Sequence, residues 1–354
     1  MRGSILVIPT LPINSPWHTS IEEQAKNSFY YDQRWLEMLT TFYGYRIIPL
    51  IVTDEDGQIT GFLPLCSVKS PLTGRRLVSL PFSDQCPLLA VDEASAHDLI
   101  EQAIRLARQQ KVKYLELRTG AHEQLAQRSD LTESNLYVNW SIPLSERAPD
   151  VWSKLRKPVQ HQIKKSQKNG VHIRVAEKRE DMSLYYNLHL RTRGKKHGMP
   201  VQSEKYFSTL WDTFAASDTL RLLLAEYEGN TIAGIILFAS GTTLHYAYGA
   251  SDEKHLKLAP NNLLFWDAIT WGCEHGYKVF DLGRTACDNE GLMEFKRRWG
   301  AVQEPLPYYY YPHTAGLAST SESSRKFRLL TTVWRKLPLA VTAPLGGWLY
   351  KHMG

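Results

Sequence analysis

Two hydrophobic rhythms alternate along this chain. Residues 56–65, DGQITGFLPL, are a polar turn followed by period-two alternation, which predicts a half-buried strand. Residues 98–118, DLIEQAIRLARQQKVKYLELR, put Leu99, Ala103, Ile104 and Ala107 at helical spacing and then pass into a short strand ending at Arg118. The order returns in the second half. EGNTIAGIILF (228–238) repeats the turn-and-strand form, with Gly234 in the place of Gly61. NLLFWDAITWGCEHGYKVFDLGR (262–284) has Leu263, Trp266, Ile269 and Cys273 at similar helical spacing before a strand ending at Arg284. Upstream of each strand set lies an aromatic-rich helical segment, at 30–44 and 203–217, and SGTT at 240–243 reads as a tight turn between alternating runs. Each half therefore runs helix, antiparallel strands, helix, strand, an α+β pattern with mixed sheets flanked by helices. The expected domains are 1–147 and 148–312, hinged near IPLSERAPD (142–150), with a tail at 313–354.

Composition bounds the picture without changing it. The 354 residues are 43% hydrophobic and 22% charged, enough for two cores. Net charge of +6 favours anionic partners. Four scattered cysteines, with no CxxC pair, suggest neither a disulfide framework nor a zinc site, and no metal is expected. MRGSILVIPTLP carries too short an apolar run for a signal peptide, and no stretch reaches the length of a spanning helix. A cytoplasmic protein, peripheral on the inner membrane face, is the expectation.

The second half holds TRGKKHGMP (192–200), YGASDEKHLKLAPNNLLFWDAI (248–269), FDLGR (280–284) and GLMEFKRRWG (291–300). In that order they resemble the Fem-type aminoacyltransferases and their acyltransferase relatives of the GNAT superfamily. GFLPLCSVKSPLTGRRLVSLPF (61–82) is similar to the first repeat of the envelope- and exopolysaccharide-associated branch. The resemblance spans about residues 28–312 and implies tandem GNAT-like domains that transfer an acyl or aminoacyl group to an amine of a peptidoglycan, envelope or exopolysaccharide precursor. It implies no permanently bound cofactor. The donor would be aminoacyl-tRNA, acyl-CoA or an acyl-carrier protein, and the acceptor an anionic lipid- or nucleotide-linked molecule. The heptad insertion of tRNA-gripping relatives is absent, as is the Gly-rich acetyl-CoA loop of ordinary GNAT enzymes, SQKNGVH (166–172) being the nearest piece. A thioester-dependent acyltransferase acting on a small amine and a non-catalytic assembly protein stay open as alternatives.

Acyl transfer needs a neutral amine, a positioned carbonyl and relief of the developing oxyanion. Phe295 and Lys296 match the Phe-Lys pair of Fem enzymes, which implies a reaction-centre role; a half-buried ammonium beside Trp299 would hold an oxyanion or a phosphate. Asp281 would accept a proton or orient Arg284, whose planar fork suits a phosphate or carboxylate. The same two residues also fit a purely structural ion pair. Substrate contact is expected of Arg193 and His197 from TRGKKHGMP, of Tyr248, Asn261 and Asn262, of the strand-end Arg118, and of Lys165 within a basic run over 154–179. Solvated helix surface would explain the run equally well, and Asn261 or Asn262 would serve as a helix cap. Gln160 stands where the family's arginine is usual. Cys287 reads as a loop thiol.

RKFRLLTTVWRKLP (325–338) predicts an amphipathic basic helix, and LAVTAPLGGWLYKHMG (339–354) an apolar continuation. Together they suit an interfacial membrane segment or a helix docked on its own domain.

Overall fold

Among the described residues, two seven-stranded sheets organise the chain. The computed structural model describes residues 16–71, 74–313 and 325–352, so the expectation drawn from residues 1–12 lies outside the described residues. The first unit contains, in order, α1 (Thr19–Lys26), α2 (Gln33–Tyr43), β1 (Arg46–Thr53), β2 (Ile59–Ser70), β3 (Gly74–Val78), β4 (Leu89–Ala90), α3 (Glu93–Gln109), β5 (Tyr114–Leu117), α4 (Glu123–Ala126) and β6 (Thr132–Ser134). The second contains β7 (Tyr137–Pro143), α5 (Ala148–Lys154), α6 (Lys157–Lys168), β8 (His172–Val175), α7 (Glu180–His189), a π-helical turn over Leu190–Lys196, α8 (Glu204–Phe214), β9 (Leu220–Tyr227), β10 (Asn230–Ser240), β11 (Thr243–Ser251), α9 (Pro260–Glu274), β12 (Val279–Ala286), α10 (Glu290–Arg298) and β13 (Val302–Pro305). After these come β14 (Tyr308–Tyr311), in the first sheet, and α11 (Arg325–Lys336) and α12 (Leu339–Tyr350), in the second unit.

The repeat read from the sequence is a repeat of topology. β1 pairs antiparallel with β2 and β9 with β10, while β3 runs parallel to β5 and β11 parallel to β12. A parallel step needs a crossover, and α3 and α9 supply it. Gly61 and Gly234 each mark a close approach. A Cβ on Gly61 would stand 3.1 Å from the Leu99 side chain of α3, and one on Gly234 would stand 3.0 Å from Leu224 and Tyr185.

The expected boundaries need correction. The units divide between Tyr137 and Val138, and the chain from Pro305 returns to the first unit. β7 inserts between β13 and β12 of the second sheet, and β14 between β5 and β6 of the first. The Pro-bearing stretch at 142–150 begins inside β7 rather than separating two cores. Strand order, which composition does not report, decides where each strand lies.

The largely aliphatic core of the second unit holds an aromatic block beside β12. Phe265 of α9 packs against Phe280, Phe295 and Trp299, with ring centroids 5.7, 5.7 and 5.4 Å away. Trp140 of β7 and Trp299 are fully buried. This apolar block holds α10 against β12, so the end of β12 is a fixed platform.

The tail docks on its own unit. Gly198 lies so close to α11 that a Cβ would meet the Thr331 carbonyl at 2.3 Å. Gly346 of α12 meets the Val201 backbone, with N and O both 2.8 Å from a would-be Cβ. Lys195 Nζ donates to the carbonyls of Arg335, at 3.2 Å, and Leu337, closing the C-terminal end of α11. The side chains of residues 325–330, where the predicted apolar arc begins, lie outside the described residues. Among the described residues no helix is long and apolar enough to cross a membrane.

Candidate active site

β11 and β12 start as a parallel pair and then part. Thr243 lies opposite Val279, Leu244 opposite Phe280 and His245 opposite Asp281, and there the pairing ends. β11 nevertheless runs to Ser251 and β12 to Ala286. On the far side of β11 the register against β10 slips, with Leu237 opposite Tyr246 and Ile236 opposite Tyr248, so Ala247 is the extra residue of a bulge. Bulges bend a strand and increase its twist. This one turns β11 away just past the last paired residues and opens a wedge in the sheet.

At the root of the wedge lies a buried polar cluster built from three strands. The Asp281 carboxylate accepts from His245 Nδ1 of β11 at 3.0 Å, from Asn139 Nδ2 of β7 at 3.2 Å and from the Gly283 N–H at 2.9 Å. Asp281, His245 and Asn139 are all buried. Burial by itself would raise the Asp281 carboxyl, but His245 and the other donors outweigh it and hold the group below the ordinary carboxylate range. An ionised carboxylate only accepts, so His245 carries its proton on Nδ1. In the neutral ring Nε2 is then the basic nitrogen.

Gly283 and Lys296 answer each other. Successive carbonyls of a regular strand point to opposite sides, yet Lys296 Nζ donates to those of Leu282 and Gly283 at 2.8 Å each and of Arg284 at 3.3 Å. Three consecutive carbonyls converge because Gly283 takes a left-handed conformation, φ 69°, which a side chain disfavours. Where β12 has lost β11 as a partner, a buried ammonium takes the stranded carbonyls. Gly283→Ala is expected to lower stability by about 1–2 kcal/mol, read as a shifted urea midpoint for the whole chain. An unchanged midpoint would mean that the turn is not held.

This geometry changes several expectations. Lys296 is buried and its ammonium donates to three carbonyls of the strand, so it braces the turn. Asp281 bonds to His245, Asn139 and Gly283, and the expected pair with Arg284 does not form. Arg284 sits half-buried just past the turn. Phe295 is part of the aromatic block. Neither Asn261 nor Asn262 caps α9, whose N-cap is Ala259 in a left-handed conformation. Asn261 instead donates to Ser251 Oγ at 3.3 Å, tying α9 to the end of β11.

Tyr248, on the diverged part of β11, shares a 2.7 Å hydroxyl–hydroxyl bond with Tyr206 and packs edge-on to Phe207 and His189. His189 is fully enclosed between Tyr185 and Gln202, at 3.3 and 3.2 Å, and burial, with the Arg193 charge behind it, drops its pKa to about 3. It is a neutral hydrogen-bonding strut. Arg193 donates from Nε to the Pro200 carbonyl at 3.0 Å and lies 5.8 Å from the Tyr350 ring centroid, which commits it to the tail. His197 is exposed, and partial desolvation together with the charges of Lys196 and Arg193 lowers its pKa. Gln160, in the position usual for an arginine, donates to the carbonyls of Trp152 and Leu155.

The remaining candidates stand apart. Arg118 belongs to the first unit, buried and bonded to Glu116 at 2.7 Å and to the Ser83 carbonyl at 2.9 Å. The parallel register makes Glu116 the counterpart of Asp281 and Val78 that of His245. Hence the first unit keeps the buried acid without the imidazole, and an arginine neutralises it. In the basic run Arg156 pairs with Glu294, Arg174 with Asp181 and Glu226, and Arg179 with Asp212. Lys165 lies half-buried on α6, beside the exposed Lys157, Lys164 and Lys168.

Residues 153–297 match the acetyltransferase (GNAT) domain family. The matched span runs from α5 to α10 within the second unit, which has the GNAT fold. Within the chain, 90 residues are 33% identical to the lipid II:glycine glycyltransferase of Staphylococcus epidermidis, covering 24% of this chain and 22% of that protein. The chain thus matches under a quarter of the length of that relative. The crystal structure of FemX superposes with a TM-score of 0.65 at 15% identity, covering 83% of this chain and 96% of that one. A tandem GNAT protein from the clavulanic acid biosynthesis pathway gives a TM-score of 0.51 at 13% identity, over 88% and 94%. The Fem-type resemblance and the tandem GNAT architecture read from the motifs therefore hold. His245 and Asn139, the side-chain partners of Asp281, are what the motif reading missed. The signal for His245 was a lone histidine in the otherwise apolar alternation TTLHYAYGAS; Asn139 gave none, because its strand was assigned to the wrong half.

Proposed function

We propose that this protein transfers an acyl or aminoacyl group to an amine of a lipid- or nucleotide-linked cell-envelope precursor of the peptidoglycan type. The observation that carries this is the wedge between β11 and β12, with the His245–Asp281–Asn139 cluster at its root, His245 and Asp281 lying within the residues that match the GNAT family. In this reading His245 Nε2 takes the proton of the attacking ammonium, and Asp281 holds the tautomer and stabilises the charged ring. The amine nitrogen bonds to the acyl carbon, whose bond to the donor's oxygen or sulfur breaks, and the leaving group departs with a proton. Lys296 is a positioning residue, since it fixes the carbonyl and N–H directions of the turn at Gly283. Arg284 and Tyr248, on the two diverging strands, are assigned to substrate contact, with His197, Asn261 and Asn262 further along the same wall. Arg193 supports that wall. Lys165 and its neighbours on α6 form the basic face for a phosphate-bearing portion.

The glycyltransferase likeness favours aminoacyl-tRNA as donor, and the GNAT fold favours a thioester. Equilibrium binding of the purified chain to acyl-CoA and to aminoacyl-tRNA, each at two salt concentrations, separates them. Selective binding of aminoacyl-tRNA over its deacylated form, weakening with salt, supports the first. Tight acyl-CoA binding retires it in favour of a thioester-dependent transferase. Binding to neither, with no transfer to an amine acceptor, overturns the enzymatic reading and leaves a non-catalytic assembly protein.

A further inference from the structure

α12 is packed inside out. Its buried side is small and polar: Thr342 is fully buried, and Gly346 lies against the Val201 backbone. The opposite side is apolar and exposed, with Val341 at 46%, Leu345 at 38% and Trp348 at 52% of full exposure, and Pro344 exposed among them. These four positions fall within an arc of about 100° on an ideal helix. Val333 on α11 adds a further apolar side chain at 54%. A water-facing helix places its apolar residues the other way round, and such a contiguous stripe marks a surface that something covers.

The charge around the stripe selects what covers it. No Asp or Glu occurs from residue 323 to 354, whereas Arg325, Lys326, Arg328, Arg335, Lys336 and Lys351 do. Arg335 and Lys336 are exposed just before the stripe and Lys351 just after it. Trp348 lies near one end, the position that suits a headgroup boundary. We propose that α12, with the end of α11, docks on an anionic lipid bilayer. Val341, Leu345 and Trp348 enter the acyl boundary while the flanking cations meet lipid phosphates. The protein itself takes the place of the polar face that an isolated interfacial helix would need. The close seats of Gly198 and Gly346 hold the stripe outward as a rigid platform, independently of which group the GNAT domain transfers.

Cosedimentation of the full chain with phosphatidylcholine vesicles, with and without phosphatidylglycerol, tests this. Binding to the anionic vesicles should exceed binding to neutral ones at least tenfold and should weaken with salt. Trp348→Glu should cut it at least tenfold, and Lys336→Glu should reduce it several-fold. Both positions are exposed, so melting temperatures should stay at the parent value. Equal binding to both vesicle types, or full binding by Trp348→Glu, overturns the proposal. So does a dimer in light scattering that Trp348→Glu dissociates while vesicle binding is absent, because the stripe would then be covered by a second copy.

Discussion

Replacing Asp281 by asparagine is expected to slow transfer by two to four orders of magnitude, roughly the worth of a positioned acid–base group, while the fold survives. The asparagine oxygen still accepts from Gly283 and Asn139, but its amide now faces His245 Nδ1. The ring must then accept at Nδ1 and carry its proton on Nε2, which removes the base. Single-turnover rates with saturating amine acceptor, measured across pH, read this directly. A variant with the parental rate and pH profile would remove the His245–Asp281 pair from the chemistry. The same substitution has a signature in stability. The folded-state pKa of Asp281 is depressed, so its contribution is fully present above the ordinary carboxylate pKa of about 3.9 and is lost as pH falls through the lower folded value. Below about pH 4 the gap in stability between parent and Asp281→Asn should therefore narrow. A gap that widened on acidification would contradict the depressed pKa.

The second large effect belongs to Lys296. Lys296→Met keeps the length of the side chain and removes the donors, stranding the carbonyls of Leu282, Gly283 and Arg284. At about 1–3 kcal/mol for each buried group left unsatisfied, with partial rescue by water, a loss of about 3 kcal/mol is expected. Transfer should fall by about 100-fold as the turn shifts by a fraction of an ångström. Lys296→Arg is the informative partner. A planar fork cannot aim three donors at one convergent point, so the arginine variant should recover under a tenth of the parental rate although its charge is unchanged. Full recovery by arginine would mean that the charge alone matters and would return Lys296 to the oxyanion role expected from the motif. Urea unfolding and single-turnover rates on the same preparations separate the two.

Both variants show how function here depends on backbone direction. The bulge at Ala247 turns β11 away, the left-handed Gly283 turns three carbonyls one way, and Lys296 fixes them. The residues that hold this arrangement are distributed over β7, β11, β12 and α10, and no single segment carries it.

Much of this was written locally and could be read. The two copies of the strand–helix–strand pattern, with Gly61 and Gly234 at matching places, are consequences of side-chain periodicity, and periodicity survives in one dimension. FDLGR and EFKRRW stood out because an apolar strand ending in Gly beside charged and aromatic residues is locally unusual, and that stretch does hold Asp281, Gly283 and Lys296 together. Partnership between distant residues was not legible. Asp281 and Arg284, three positions apart, looked like a pair, but the acid's partners are His245 and Asn139, and strand order alone brings them near. The same order placed β7 and β14 in sheets their sequence neighbours do not predict, since a linker's composition says where a chain bends and nothing of which edge it joins. In the tail, the basic and apolar residues were evident from the letters. Only packing could decide that α12 turns its glycines inward and Trp348 outward, because two small faces seated backbone to backbone exclude the larger side chains from the contact.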